Sequence, residues 1–316
     1  MTRLDVIMYH YVLNPPKSCF PHLKGITVDA FRNQVRFLQG RYEMATLESA
    51  LAFVGGGYVP KQNLCLLTFD DGLRDHYENV LPILSELEVQ GIFFAVTECL
   101  DQQQVSSTHK SHLLLAELGF EEYQRALRRN LAEQNLSINN SVDKVRARHT
   151  YRWDSEEVAI FKYFLNFCLD GRQRAQIINK IFKDQLTDEP ELAKKLYLSW
   201  DEVTEIQSRG MIIGGHSHRH HALAKLTREE QQKDIATCAC MLRQRLGKQV
   251  VWPFSYPYGK KDTFDKSTVH LLKENGFDCA FSSEPGKVQP KDDVYALRRV
   301  DTNSIRIEKE PLKKDA

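Results

Sequence analysis

Residues 64–72 read Leu-Cys-Leu-Leu-Thr-Phe-Asp-Asp-Gly, an apolar run followed by two adjacent carboxylates and a glycine. A short apolar run bounded by a turn signal is typical of a buried strand. Asp70 and Asp71 come at its carboxyl end, where two buried carboxylates are costly unless they are paired, protonated or bound to a metal. In parallel α/β folds that end of the strands is where sites are built. The alternative is an ordinary turn, since Asp-Gly is a common turn pair.

Short apolar runs and amphipathic segments alternate along the rest of the chain. Two of the helical patterns open with capping boxes, at Ser199 and at Thr227. Strand–helix alternation predicts an α/β fold with a parallel sheet, open or closed into a barrel. Seven strands are predicted: Leu4–Tyr9, Leu64–Phe69, Gly91–Val96, Met211–Gly214, Val251–Tyr256, Asp278–Ser282 and Val294–Val300.

Residues 101–196 do not show this alternation of strands and helices. They hold only two of the 16 glycines and one of the 11 prolines, and their apolar residues recur at helical spacing. We therefore expect a mostly helical insertion between two strands of the core. The predicted organisation is one domain over residues 1–316, with a core of 1–100 and 197–305 and the insertion at 101–196.

Composition excludes several classes of protein. The chain has 316 residues, 42% of them hydrophobic and 27% charged, which is typical of a globular protein. A net charge of +1 gives no bulk basic surface for nucleic acid. The mean hydropathy is −0.45 and the apolar runs are short, so no transmembrane segment is expected. Seven scattered cysteines without a Cys-x-x-Cys pair, and an N-terminus without a signal-peptide pattern, predict reduced thiols and a cytoplasmic location.

A histidine-rich motif follows the predicted strand Met211–Gly214. Residues 214–221 read Gly-Gly-His-Ser-His-Arg-His-His. His216 and His220 are four apart, which places both imidazoles on one side of a helical turn, as in other zinc-binding pairs. Asp71 would supply a third ligand and leave open positions for water and substrate. A solvated polar loop is the alternative.

A third motif, Phe-Ser-Tyr-Pro-Tyr-Gly at residues 254–259, follows a further strand. A rigid proline followed by a turn can aim backbone N–H groups at one point. By itself this pattern is weak, because Pro-x-Gly is most often only a turn.

TFDDG, HSHRH and FSYPYG, in this order, resemble the polysaccharide deacetylases of the NodB-homology type, carbohydrate esterase family 4. Segments near residues 6–10, 198–202 and 297–301 also have counterparts in bacterial branches of this family. The resemblance covers about residues 1–100 and 197–305 and not most of the insertion. It implies a distorted (β/α)7-type barrel with its site at the carboxyl-terminal mouth.

The resemblance also implies roles for the motif residues. Asp71, His216 and His220 would hold one divalent metal, usually zinc in this family, with Co²⁺, Mn²⁺ or Ni²⁺ as alternatives. Asp70 would be the general base, and the backbone N–H of Tyr258 would stabilise the oxyanion. The substrate-binding residues in the third motif would be Tyr256 and Pro257.

The sequence departs from the family pattern at two places. The family has an arginine two residues before the motif proline, and this chain has Ser255 there. Arg299, in the last predicted strand, could reach Asp70 instead; a surface arginine is the alternative. The family's general acid is a histidine near the C-terminus, but this chain has no histidine from Phe277 onward. His10, at the end of the first strand, is the candidate acid, with a structural role as the alternative.

Further histidines have simpler interpretations. His109 and His112 follow the third predicted strand, and we expect them in a solvated loop, although one of them could border the site. His270 is expected on the surface. Ser217 is expected to orient its loop and not to act as a nucleophile.

The leading functional prediction is a metal-dependent hydrolase that removes N-acetyl groups from a sugar or polysaccharide precursor. The same site could instead cleave a formamide, an O-acetyl ester or a cyclic amide. A non-catalytic carbohydrate-binding module is the third hypothesis. In each case the expected partner is a sugar or glycan, and the sequence does not indicate an oligomeric state.

Overall fold

The apolar run at Leu64–Phe69 forms one wall of a closed parallel barrel in the computed structural model of the protein, which describes residues 2–15, 18–133, 142–169, 171–186 and 188–305. The described strands are β1 Leu4–Tyr9, β2 Val12–Leu13, β3 Ile26–Thr27, β4 Glu43–Met44, β5 Leu64–Phe69, β6 Gly91–Ala95, β7 Ile212–Gly215, β8 Pro253–Ser255, β9 Cys279–Pro285 and β10 Leu297–Asp301.

Seven of these strands close the barrel. The strand order is β1-β10-β9-β8-β7-β6-β5, and β1 pairs in parallel with both β10 and β5, so the sheet has no free edge there. β4 pairs in parallel with the first two residues of β5, and β2 pairs with β3 in a separate two-stranded sheet. Each of the seven predicted strands corresponds to one barrel strand, and the prediction of a (β/α)7-type barrel is confirmed.

Helices occupy the connections. The capping boxes predicted at Ser199 and Thr227 are present, with each hydroxyl accepting from the backbone N–H three residues later. A π-helical turn, His76–Val80, leads into the helix after β5. The described helices are α1 Val28–Gln39, α2 Leu47–Val54, α3 Leu81–Glu86, α4 Ser107–Glu133, α5 Lys144–Thr150, α6 Glu156–Tyr163, α7 Gly171–Gln185, α8 Glu189–Leu196, α9 Trp200–Ser208, α10 Arg228–Arg245 and α11 Lys266–Glu274.

In β5, β6 and β9, alternate residues enter two different hydrophobic clusters. Leu64 and Leu66 of β5 belong to the cluster that contains Phe94 and Phe281. The rings of these two phenylalanines lie 5.5 Å apart although β6 and β9 are not neighbours, so this cluster fills the barrel interior. Two-residue periodicity then directs the side chain of Asp70 inward, above the apolar layers.

The chain divides into two compact units, one of residues 1–14, 25–102 and 196–316 that contains the barrel, and one of residues 15–24 and 103–195. The second unit is mostly helical where it is described, as predicted for the insertion. Residues 134–141, 170 and 187 of that predicted insertion lie outside the described residues. The assignment of a single domain over residues 1–316, of which 306–316 are also outside the described residues, stays a prediction.

One expectation about the second unit is wrong. His109 does not lie in a solvated loop, because it belongs to α4 and its side chain is fully buried. Helical spacing from Ser107 onward turns this residue toward the apolar side of α4, and the sequence around it is too polar to show that burial in advance.

The structure can be compared with two further expectations, one about membrane-spanning segments and one about the cysteines. In the part of the chain that the structure describes, no helix is long and apolar enough to cross a membrane. No disulfide joins any of the seven cysteines, all of which are described. On α10, Cys238 is buried and Cys240 exposed, as expected for residues two apart on a helix.

Candidate active site

Asp71, His216 and His220 converge at the carboxyl ends of β5 and β7. All three are buried, and one ligand atom of each lies within 4.8 Å of the others. The Nε2 atoms of His216 and His220 lie 3.4 Å and 3.3 Å from Oδ1 of Asp71. The structure thus brings together the three residues that the sequence assigned to a metal.

His216 is held in one orientation by main-chain groups. Its backbone N–H donates to the carbonyl of Ala95 at 2.9 Å, and its Nδ1 lies 2.7 Å from the carbonyl oxygen of Ser255. Since a carbonyl only accepts, Nδ1 carries the proton and Nε2 presents a lone pair. Gly214 permits the close approach of β7 to β6, because a Cβ there would lie 2.5 Å from the ring of Phe94.

The loop from His216 to His220 is folded around hydrogen bonds to its own backbone. The hydroxyl of Ser217 accepts from the N–H of His220 at 2.8 Å, which gives Ser217 the orienting contact expected of it. Asp234 of α10 accepts from two consecutive backbone N–H groups, those of His218 at 2.7 Å and Arg219 at 3.1 Å. Sequence reasoning missed Asp234, because its distance along the chain gives no signal of this contact.

The chemistry of this cluster fits a divalent transition metal. One carboxylate oxygen and two imidazole nitrogens form a ligand set that suits zinc and related ions. Burial lowers the pKa of His216, but the nearby carboxylates of Asp70 and Asp71 and the Ser255 carbonyl together raise it above its ordinary value. Such a field of buried negative charge stabilises a cation among these residues.

Asp70 forms a bidentate ion pair with Arg299. The guanidinium donates through Nη1 to Oδ1 at 2.8 Å and through Nη2 to Oδ2 at 2.7 Å, and its Nε donates to the carbonyl of Ser282 at 2.8 Å. Arg299 is only 2% exposed. Burial raises the pKa of Asp70, but the charges of Arg299 and His216 and the hydrogen bonds from Arg299 together lower it by more. The pKa of Asp70 is therefore below its ordinary value.

Ser255 connects this ion pair to the metal cluster. Its hydroxyl accepts from Nη2 of Arg299 at 2.9 Å and donates to Oδ2 of Asp70 at 3.3 Å, while its carbonyl orients His216. In the sequence, Ser255 is only the residue that stands where the family has an arginine. The structure shows that a serine and a distant arginine together occupy the place beside Asp70.

His10 lies next to the same carboxylate. Its Nε2 is 4.0 Å from Oδ2 of Asp70, and its side chain is 44% exposed. It follows β1, whose last residue, Tyr9, accepts from the backbone N–H of Asp70 at 3.0 Å. An imidazole that faces both solvent and the Asp70 carboxylate is placed where it could exchange a proton with a bound molecule.

Some residues of the third motif lie at the site and others in the hydrophobic core. The ring of Tyr258 lies 5.2 Å from that of His220, next to the metal cluster, and Pro257 is buried. Tyr256 instead stacks on Phe264 at 3.8 Å and donates to a backbone carbonyl at 2.9 Å, with 1% of it exposed. The structure therefore contradicts a substrate contact through the Tyr256 side chain, which packs in the hydrophobic core.

Backbone strain is concentrated in these motifs. Among the described residues, eight besides glycine have a positive φ. Four of these belong to the three motifs: Asp71 at 82°, Ser217 at 63°, His220 at 57° and Tyr258 at 62°. Left-handed conformations are unfavourable for L-residues and cluster at functional sites, where the surrounding structure enforces them.

The closed parallel barrel thus carries a buried carboxylate, two imidazoles and an arginine-paired second carboxylate at the carboxyl ends of its strands, which is where barrels of this kind place their sites. The profile of the family described as polysaccharide deacetylase matches residues 58–156 and 167–280. The chain belongs to this polysaccharide deacetylase family, as the motifs predicted.

Individual proteins are similar to this chain in sequence over part of its length or in fold. The chain is 26% identical over 109 residues to the putative polysaccharide deacetylase YxkH of Bacillus subtilis, an alignment that spans 34% of this chain and only 38% of that protein. IcaB from Ammonifex degensii has a similar fold, with a TM-score of 0.57 and 18% identity over 95% of this chain and 91% of the other. A de-N-acetylase from Aggregatibacter actinomycetemcomitans also has a TM-score of 0.57, with 15% identity over 94% of each chain.

Proposed function

We propose that this protein is a metal-dependent hydrolase that removes N-acetyl groups from a sugar or a polysaccharide precursor. Membership of the polysaccharide deacetylase family supports the substrate class. The similarity to a protein described as a de-N-acetylase favours amide cleavage. The observation that carries the proposal is the buried Asp71–His216–His220 cluster beside the ionised Asp70.

Asp71, His216 and His220 would hold the metal, with zinc as the first expectation and Co²⁺, Mn²⁺ or Ni²⁺ as alternatives. When bound, such an ion would lower the pKa of water and polarise the acetamide carbonyl. Ser255 would keep Nδ1 of His216 protonated through its carbonyl, so that Nε2 stays available as a ligand.

Asp70 would act as the general base. Because Arg299 keeps its carboxylate ionised in spite of burial, Asp70 can accept a proton from the attacking water at neutral pH. The bidentate contact also fixes the plane of the carboxylate, so that the proton is accepted in one defined direction.

His10 would donate the proton that the leaving nitrogen needs. Its partly exposed ring could contact both the sugar and solvent, from which it would be reprotonated. The backbone N–H of Tyr258, fixed by the left-handed turn at residues 258 and 259, would stabilise the developing oxyanion. The products would be acetate and a free amino sugar.

The test compares the metal content and turnover of the wild type, Asp71→Ala and Asp70→Asn. We expect about one equivalent of a divalent metal in the wild type and in Asp70→Asn, and its loss in Asp71→Ala. Asp70→Asn should lower the release of acetate from N-acetylhexosamine oligomers by about 10² to 10⁴-fold. Full activity of Asp70→Asn would overturn the assignment of the base.

The same assay separates the alternative reactions. Amide cleavage releases a free amine in equal amount with acetate, whereas cleavage of an O-acetyl ester releases acetate without a new amine. A wild type that binds no metal and releases no acid from any acylated sugar would favour a carbohydrate-binding module. The cytoplasmic location stays a prediction, and cell fractionation would test it.

A further inference from the structure

The π-helical turn His76–Val80 lies directly behind the main chain of His10. Three side chains from this turn and from Asp75, the residue before it, hydrogen-bond to the backbone of residues 10–12. Nε2 of His76 donates to the carbonyl of His10 at 2.8 Å. Asn79 donates to the carbonyl of Val12 at 2.7 Å. We call Asp75, His76 and Asn79 the clamp residues.

The third contact completes the clamp. A carboxylate oxygen of Asp75 accepts from the backbone N–H of Val12 at 2.7 Å. Val12 is thus held through both its N–H and its C=O by side chains from one turn of the chain. His76 is fully buried, and its ring packs against those of Phe69 and Phe93 at 5.6 Å and 5.9 Å. The clamp is therefore anchored in the hydrophobic cluster outside the barrel interior, to which Phe69 and Phe93 belong.

The hydrogen bond between His76 and the carbonyl of His10 has one possible direction. Since a carbonyl only accepts, Nε2 of His76 must carry the ring proton. Burial lowers the pKa of His76 to about 4, so the ring stays neutral near pH 7 and keeps this single donor. A π-helical turn is rare and is found frequently at functional sites, where it reorients the residues around it.

We propose that Asp75, His76 and Asn79 are positioning residues that fix His10 for proton donation. This inference rests on the proposed function, in which His10 is the general acid. The His10 side chain is 44% exposed, so the place of its ring depends on where its main chain is held. The β1–β5 ladder holds the chain up to Tyr9, and the clamp holds the carbonyl of His10 itself.

The expected effect follows from the cost of poor positioning. A displacement of about 1 Å at a reacting group can lower a rate by about 10²-fold. Asn79→Ala and His76→Phe each remove one donor, and phenylalanine keeps the ring shape in its apolar surroundings. We expect each variant to lower kcat by about ten-fold or more, with an unchanged metal content and with little change in KM.

A double-mutant cycle with His10→Ala separates positioning from general damage. If the clamp acts through His10, adding Asn79→Ala or His76→Phe to His10→Ala should lower kcat by less than about two-fold further. Matched controls also delete a donor to a backbone carbonyl in the barrel unit. These are Asn275→Ala, which removes a 2.8 Å contact to Leu271, and Tyr295→Phe, which removes a 2.8 Å contact to Phe277. Both should keep wild-type kcat.

If Asn79→Ala or His76→Phe lowers kcat by the same factor in the His10→Ala background as in the wild type, the proposal is overturned, because the clamp would then act on another part of the site. Amide hydrogen exchange gives a readout without catalysis. Exchange at Val12 should become at least about ten-fold faster in Asn79→Ala and Asp75→Ala than in the wild type. Unchanged exchange would also overturn the proposal. A wild type without deacetylase activity would refute the proposed function, and exchange at Val12 would then decide whether the clamp exists.

Discussion

Replacing Arg299 with methionine should separate the two consequences of the buried ion pair, one for stability and one for catalysis. Methionine keeps much of the length and apolar volume of the arginine stem but removes both hydrogen bonds to Asp70, at 2.8 Å and 2.7 Å. The carboxylate then stays buried, and the neutral hydroxyl of Ser255, at 3.3 Å, donates to it where the charged guanidinium did before.

The magnitude follows from the geometry. Two unit charges about 4 Å apart interact by about 4 kcal/mol at the effective dielectric constant of about 20 that describes protein sites. Removing one partner of a buried ion pair typically costs about 3 to 5 kcal/mol, because the other charge is left uncompensated. We expect Arg299→Met to lower the free energy of unfolding by about 3 to 5 kcal/mol at neutral pH.

The pH dependence has a definite sign. In the wild type the pKa of Asp70 is lowered by Arg299 and His216 in spite of burial, so its stabilising contribution is present above the unfolded pKa and is lost as pH falls through the folded pKa. Without Arg299, burial raises the pKa of Asp70. Since the base must be ionised, the acid limb of the kcat profile should move to higher pH, and activity should recover as pH rises.

Urea denaturation and pH–rate profiles would measure both effects. Arg32→Met is the matched control, because Arg32 also contacts both carboxylate oxygens of one residue, Glu86, but at the surface. It should change neither the denaturation midpoint nor the pH profile appreciably. The double variant Arg299→Met with Asp70→Leu should regain stability without activity. Wild-type stability and an unmoved acid limb in Arg299→Met would refute the reasoning.

Three further outcomes are expected. Asp234→Ala should weaken metal binding by about 10- to 100-fold, measured by competition with a chelator, because the His216–His220 loop loses two backbone contacts. His76, whose pKa burial lowers to about 4, makes the protein less stable as pH falls below about 6.5; denaturation at two pH values should show a smaller loss in His76→Phe. A thiol reagent should modify the exposed cysteines and spare the buried ones, and peptide mapping would identify the modified positions. Burial raises the pKa of the thiols of Cys65, Cys238 and Cys279, which further lowers their reactivity. The exposed residues are Cys19, Cys168 and Cys240.

The barrel strands could be predicted because their apolar runs are short and bounded by turn residues. Leu4–Tyr9 and Leu64–Phe69 match the observed strands at both ends. The other five differ at one or both ends, since boundaries depend on hydrogen bonds between strands. β2, β3 and β4 have two residues each, too few to give a periodic signal.

For the site, the sequence could place residues at strand ends but could not show their neighbours. The first two motifs bring Asp71, His216 and His220 to one edge because the ends of parallel strands meet there. The contacts of Ser255, Asp234 and the clamp join segments far apart in the chain, and no local pattern reports such pairs. Tyr256 was misassigned for a related reason, because a motif residue can point into the core while the next but one, Tyr258, points to the site.

The ion pair between Asp70 and Arg299 joins residues 229 positions apart, across the seam where the first and last strands of the barrel meet. A ribosome that adds about 5 to 20 residues per second needs on the order of ten to fifty seconds to make the intervening chain. During that interval the nascent Asp70 lacks its cation, so burying it would be unfavourable. The carboxylate of Asp70 can therefore be buried as part of this ion pair only after Arg299 has been synthesised.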